Sequence, residues 1–294
     1  MGDSIIISAV LPVYNQRDRI DLTLRMFDKQ TFPKEKFEVI VVDDGSTDIT
    51  EDDLKKWSQF AYNLHIIRQK NSGRAAARNR GIENARGEYL IFCDGDRFPS
   101  QMYIEEYYNR IQADQDKSIV YIGCPMNYFG KITDVEDEQK VRRYSRPFAY
   151  YSKIKNMYAD DGTTSCSVAW ASFLVGNSCV SKEMLMTAGN FDETFDEWGF
   201  EHYELAIRLE KNSAKFVCIP DNYNFHIPHS QKKEFYKDAM LKSVEIISKK
   251  HEEHDYHSLL EFMYGNISLQ QFEQMYAGKV CEELSSKDEI YFKM

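Results

Sequence analysis

Two carboxylates two positions apart at the end of an apolar run, Asp94 and Asp96 in Tyr89-Leu90-Ile91-Phe92-Cys93-Asp94-Gly95-Asp96, are the residues of this chain best placed for chemistry. The run reads as a buried strand. Residues i and i+2 of an extended segment point the same way, so both carboxylates can converge on one hard cation. Oxygen ligands at a strand end suit Mg²⁺ or Mn²⁺, with phosphate and water in the remaining positions. Gly95 between them lets a diphosphate approach the backbone. Taken alone, the same pair reads equally as loop carboxylates in solvent.

The elements that must position this pair alternate. Ile5 to Val13 is a β-branched strand stopped by Pro12-Val13-Tyr14-Asn15, and Arg19 to Gln30 is helical, with Ile20, Leu22, Leu24, Met26 and Phe27 among charges. Phe37 to Val42 is a nearly continuous apolar strand, as expected when both faces are covered. It ends at the turn and cap cluster Asp43-Asp44-Gly45-Ser46-Thr47-Asp48, with a helix through Trp57. Leu64 to Ile67 is a third strand, and Asn71-Ser72-Gly73 opens a helix over Arg74 to Asn84. This alternation predicts a doubly wound, mostly parallel sheet whose ligand lies beyond the carboxyl ends of the strands. Tyr14, Asp43, Asp44, Asp94 and Asp96 fall at those ends. There Asp43 or Asp44 could accept an N–H from a nucleobase and Tyr14 could stack on it. Arg74 and Arg78, four apart on one helix, could aim guanidinium groups at phosphate. A merely capped turn, a packing aromatic and a surface arginine are the plain alternatives.

Bulk properties bound the rest. The 294 residues carry 19 Tyr, 18 Phe and few Gly or Pro, which indicates a globular chain with a sizeable core. A formal charge of -10 argues against binding nucleic acid through a basic surface. No run of about 18 apolar residues encodes a membrane span. No secretory signal is visible at the start, and the six cysteines form no C-x-x-C pair, so a reducing cytoplasm is the expected location.

The order and spacing of Val10-Leu11-Pro12-Val13-Tyr14-Asn15, Val41 to Asp48, Asn71-Ser72-Gly73 with Ala77-Arg78-Asn79-Arg80-Gly81-Ile82, and Gly87 to Asp96 resemble the family 2 glycosyltransferases, which have the GT-A fold. The resemblance implies a nucleotide-sugar donor, usually a UDP-sugar. Pro12, Tyr14, Asp43 and Asp44 would hold the base, with Arg78 near the base or diphosphate. Asp94 and Gly95 would face the ribose or metal, and Asp96 would coordinate Mn²⁺ or Mg²⁺.

The second half carries the acceptor side. Phe173 to Val180 reads as a strand, with a helix over Ser181 to Ala188. Gly189-Asn190-Phe191-Asp192-Glu193 and Trp198-Gly199-Phe200-Glu201-His202 follow, similar to the Phe-Asp-Glu, Trp-Gly and Glu-Asp segments of chondroitin-polymerase and β-galactosyltransferase types. The acceptor hydroxyl must lose a proton as it attacks, so a base must sit opposite the leaving diphosphate. Trp198 and Gly199 would form the acceptor floor. The pattern's catalytic Asp aligns with His202. Three readings stay open: His202 is the base, since imidazoles titrate near neutral pH; Glu201 has taken over; or a thiol-like acceptor needs less help. Both could also simply cap a helix. After a strand over Phe216 to Ile219, Asn224 to Lys233 resembles the place where one His reaches the cation, and His229 fits it better than His226, with Lys232 or Lys233 near the diphosphate.

Lys131 to Thr164 has little pattern and reads as a lid or as packing. A GT-A domain is expected over 1–233, its donor half about 1–98 and its acceptor half about 99–233. Residues 234–294 form a helical C-terminal appendage that packs on the core or pairs with a second subunit. His251 to His257 looks like a metal box, but a solvated helix end is the simpler reading. The expected activity is metal-dependent, inverting transfer from a UDP-sugar to a glycan, peptide or small-molecule acceptor. The alternatives are a nucleotide-sugar or glycan-binding module that has lost catalysis, and a nucleotidyltransferase. The latter lacks its Gly-rich phosphate loop.

Overall fold

The computed structural model describes residues 4–195, 199–228 and 233–278, without the side chains of 233–235. Strand β1 (Ile7–Val13) lies between β2 (Phe37–Asp43) and β4 (Tyr89–Cys93), parallel to both, with β3 (Asn63–Arg68) outside β2. All seven residues of β1 and of β2 are buried. Alternate side chains enter different cores: Ala9 and Leu11 join Ile20, Leu24 and Phe27 of α1 (Arg17–Asp28), while Val10 joins Ala77 and Ile82 of α3 (Arg74–Asn84). A Cβ on Gly81 would fall 2.3 Å from Val10 Cγ1, so glycine is what lets α3 lie so near β1. Between β2 and β3, α2 (Glu51–Trp57) starts at a reciprocal cap in which Thr50 and Asp53 satisfy each other's backbone amides.

The sheet continues past β4 with mixed direction. Further elements are β5 (Arg97–Pro99), α4 (Tyr103–Asp114), β6 (Ile119–Tyr128), α5 (Glu138–Arg143), β7 (Ser145–Pro147), α6 (Tyr151–Ile154), β8 (Asn177–Ser181), α7 (Lys182–Ala188), α8 (Glu201–Lys211) and β9 (Lys215–His226). Strand order is β3-β2-β1-β4-β8-β6-β9-β5, with β7 on β6. Strand β8 is antiparallel to β4 and β6, whereas β6 and β9 are parallel.

Several boundaries differ from the sequence reading. The strand expected over Phe173 to Val180 begins only at Asn177, because the Asn177 N–H closes a turn onto Leu174 O. The one expected over Phe216 to Ile219 runs on to His226 through polar residues. Asn222 and Asn224 there are fully buried, their amides donating to Tyr103 O and Gly176 O. Lys131 to Thr164 contains α5, β7 and α6, and Tyr150, Tyr151, Ile154 and Met157 anchor it in the core, while most of its other residues are exposed.

The last helices, α9 (Lys233–Lys250), α10 (Ser258–Tyr264) and α11 (Leu269–Tyr276), do not stand apart. Met240, Val244, Ile247, Tyr256, Leu259 and Phe272 share one core with Trp170, Leu205 and Val10. Leu241, by contrast, is exposed. The His251 to His257 segment is neither a metal box nor wholly a solvated helix end. His251 is buried between Glu204 Oε1 (3.1 Å) and Lys211 Nζ (2.7 Å), and His254 stacks on Tyr276.

Candidate active site

Parallel register sets the strand ends side by side: Val13 pairs with Asp43, and Asp43 with Arg68. Both aspartates after β2 are buried and already hold backbone. Asp43 accepts from Ser46 N–H (2.8 Å) and lies 3.0 Å from Arg68 Nε. Asp44 accepts from Ser72 N–H, Gly73 N–H and Gln69 Nε2 at 2.8–2.9 Å. They therefore fasten the turns of the strand-end surface. Gly45 has φ +83° and its Cβ would lie 2.9 Å from Asn71 N, so the turn needs glycine. The Asn15 N–H donates to Ser46 Oγ, which ties the β1 turn to the β2 turn. Beyond it Tyr14 is 51% exposed, its ring open for stacking. Pro12 is buried within β1; it shapes the strand end and offers no surface to a ligand.

Asp94 and Asp96 do not continue an extended strand. The Arg97 N–H donates to Asp94 O and closes a turn, so the two side chains take different partners. Asp94 Oδ1 accepts from Arg78 Nη2 (3.0 Å) and its Oδ2 lies 3.4 Å from Arg97 Nε. Asp96 Oδ2 lies 3.4 Å from Gln16 Nε2 and 3.7 Å from His226 Nε2. Gly95 packs closely on β1: its Cβ would be 2.8 Å from Val13 Cγ2, so this packing is one reason for the glycine.

A cavity of about 160 Å³ joins the two halves of the chain. Arg74, Arg78, Asp94 and Arg97 line it from the donor half, and Glu201 and His202 from the start of α8. Arg78 is 2% exposed and spans the halves, donating from Nη1 to Glu201 Oε1 at 2.6 Å. Burial raises the Glu201 carboxyl, and His202 and the Arg78 guanidinium more than offset this, leaving it at about 2. A carboxylate so held is a poor proton acceptor. The His202 Nδ1 is buried, 3.9 Å from Glu201 Oε1, and has no hydrogen-bond partner among the described residues. Gly199 lines the same cavity and also lies against α9, where a Cβ would fall 2.0 Å from Ser243 Oγ. Trp198, His229 and Lys232, and the side chain of Lys233, fall outside the described residues.

As a test for a cation, the described residues offer Asp96 beside His226, while Asp94 is engaged by two arginines. No cluster of three or more His, Cys, Asp or Glu suited to a metal occurs among the described residues. Asp96 and His226 fit one side of a cation whose other positions are filled by substrate oxygens. Arg97 and His226 carry more of the site than the sequence reading allotted them. They pair across β5 and β9, and the sign available was their position on polar strand residues flanking Asp96 and Asn224.

The model of glycosyl transferase family 2 matches residues 8–174, more than half the chain. The chain belongs to this family. Validoxylamine A glucosyltransferase of Streptomyces hygroscopicus subsp. jinggangensis is 26% identical over 258 residues, covering 84% of this chain and 61% of its own length. Chondroitin synthase of Pasteurella multocida is 27% identical over 252 residues, covering 77% of this chain and 25% of its own. The chain thus spans about three-fifths or less of these relatives. The crystal structure of S. aureus TarS 1-349 in complex with UDP-GlcNAc aligns with a TM-score of 0.64 at 18% identity, covering 93% of this chain and 71% of that one. At that identity the match establishes the fold, GT-A, on which this family 2 member places its strand-end site. Among the described residues no helix is long and apolar enough to cross a membrane.

Proposed function

We propose that the chain transfers a sugar from a UDP-sugar to an acceptor nucleophile by a single inverting displacement. The observation that carries this reading is the meeting, at one cavity, of Arg78 and Asp94 from the strand-end half with Glu201 and His202 from α8. Family membership supports sugar transfer, and TarS complexes with UDP and with UDP-GlcNAc support the donor class. The strand-end turns held by Asp43 and Asp44 seat the nucleoside, with Tyr14 against the base. The acceptor oxygen forms its bond to the anomeric carbon as the bond to the UDP oxygen breaks. His202, which lines the cavity beside the fixed Glu201, receives the acceptor proton. Glu201, fixed by Arg78, orients that end of α8 and does not take the proton. Asp96 and His226, together with His229, would hold Mn²⁺ or Mg²⁺, which when bound supplies positive charge to the leaving diphosphate.

UDP release, measured across a panel of UDP-sugars with Mn²⁺, Mg²⁺ or chelator, tests the reading. Release from one donor, lost with chelator, is the expected result. His202→Asn is expected to lower kcat by about 100-fold or more while UDP still binds. UDP binding without release from any donor or with any glycan acceptor would leave a binding module. Undiminished turnover in His202→Asn would remove His202 as the base.

A further inference from the structure

Arg97 opens β5 with its side chain only 15% exposed. Its Nε is 3.4 Å from Asp94 Oδ2, and neither Nε nor Nη1 makes a hydrogen bond among the described residues, although both are closed off from solvent. These two nitrogens have given up water without gaining a hydrogen bond, an unfavourable state unless a ligand supplies acceptors. Gly176 leaves the room for it: a Cβ there would fall 2.8 Å from Arg97 Nε and 2.5 Å from Asp94 Oδ2.

Asp94 pairs with Arg97 but is shared with Arg78, so the neighbours neutralise this charge only in part. The cavity has three guanidinium groups, of Arg74, Arg78 and Arg97, against two carboxylates, of Asp94 and Glu201. Arg78 already takes one oxygen of each carboxylate, at 3.0 and 2.6 Å. The wall beyond Arg97 includes Pro125, Phe148, Leu174 and Val175, an apolar surface suited to the face of a sugar ring. An apolar wall beside an excess of one buried positive charge fits a pyranose that carries a single carboxylate. A neutral hexose would fill the space and leave that excess to the diphosphate alone. Arg97 directly follows the Asp94 to Asp96 turn, on the donor side of the cavity, whereas the acceptor approaches from α8.

We propose that the cavity selects a donor whose sugar bears a carboxylate, a hexuronate, with Arg97 as the residue that reads it. The proposal rests on the UDP-sugar reading given above. Calorimetric titration of UDP, UDP-glucose and UDP-glucuronate, with Mn²⁺ present, into the wild type, Arg97→Met and Arg97→Lys is the test. For the wild type, UDP-glucuronate is expected to bind about ten-fold tighter than UDP-glucose, the scale of one charge-assisted hydrogen bond. Arg97→Met is expected to erase that preference, weakening UDP-glucuronate about ten-fold more than it weakens UDP or UDP-glucose. Arg97→Lys, which keeps the charge and serves if the Met variant does not fold, is expected to retain part of it. Equal affinity of the wild type for the two sugars overturns the proposal. So does an Arg97→Met variant that weakens UDP and both sugars alike, which would make Arg97 a diphosphate ligand. Methyl glucuronide titrated into the UDP-saturated protein covers the acceptor side, and Arg97-dependent binding there overturns the donor assignment. Failure of UDP itself to bind the wild type sinks the donor reading as a whole. Binding of UDP without discrimination between sugars sinks only the carboxylate.

Discussion

The turns after β2 and β3 and the opening turns of α8 both bury carboxylates, and they satisfy them in different ways. Asp43 and Asp44 accept mainly from backbone amides of neighbouring turns, at Ser46, Ser72 and Gly73. Glu201 and Glu204 rely on side chains from elsewhere: Arg78, 123 positions earlier, and His251, 47 positions later, with Arg208 one turn on from Glu204. An amide donor is fixed by the turn that presents it, so the first arrangement survives small shifts between elements. The second exists only when the two halves and the C-terminal helices are docked. Binding of a nucleotide is thus prepared locally, whereas the cavity where transfer is proposed depends on long-range assembly.

Removing the hub of the second arrangement is the strongest way to break this contrast. Arg78→Met leaves Glu201 and Asp94 without their shared cation, and a destabilisation of about 3–5 kcal/mol is expected by urea denaturation near neutral pH. A loss under about 1 kcal/mol would mean that the halves are held together without this pair. Asp44→Ala should do less, about 1–3 kcal/mol, because it frees the Ser72 and Gly73 amides close to the surface where water can reach them. It should weaken UDP binding more than it weakens the fold, which comparison of melting curves with and without UDP would show.

The pH dependence sharpens the contrast with two glutamates of α8 that respond in opposite directions. Glu201, held at about 2 against an ordinary 4.5, adds stability that is complete above about 4.5 and drains away as pH falls toward 2. Glu201→Gln should flatten that acid limb. Glu210, raised to about 7 mainly by burial, favours the folded state below 4.5 and loses that contribution as pH rises through 7. Glu210→Gln, the smallest effect expected here, should raise the melting temperature relative to wild type at pH 8 and change it little at pH 4. An equal gain at both values would show that Glu210 is not protonated in the fold.

Legibility follows the same division. The strands β1 to β4 and helix α3 announce themselves through continuous apolar runs, glycines and cap residues, because each is determined by its own stretch of chain. The strand-end positions of Asp43, Asp44 and Tyr14 were readable for that reason. The turn at Asp94 to Asp96 was not, since an extended continuation and a turn closed by the Arg97 amide have the same residues. Nor could spacing pair Glu201 with Arg78, place His226 beside Asp96, or show how closely Gly95 and Gly199 pack on Val13 and Ser243. Each of those depends on which distant surface arrives opposite. The polar end of β9 was missed because Asn222 and Asn224 are buried with their amides satisfied by carbonyls of other segments.

The Arg78–Glu201 pair also constrains how the molecule is made. Arg78 leaves the ribosome 123 residues ahead of its partner, a delay on the order of ten seconds at ordinary elongation rates. The face of the sheet that meets α1 and α2 draws much of its core from the early chain, including Ala9, Leu11, Ile20, Phe27 and Trp57, and can close early. The face under α3 cannot, because its core needs Leu205, Leu209 and Met240, and the guanidinium must stay hydrated until α8 is translated. Synthesis therefore passes through a nascent chain with one covered and one open face of the same sheet, and the open face is the one that a chaperone would have to guard.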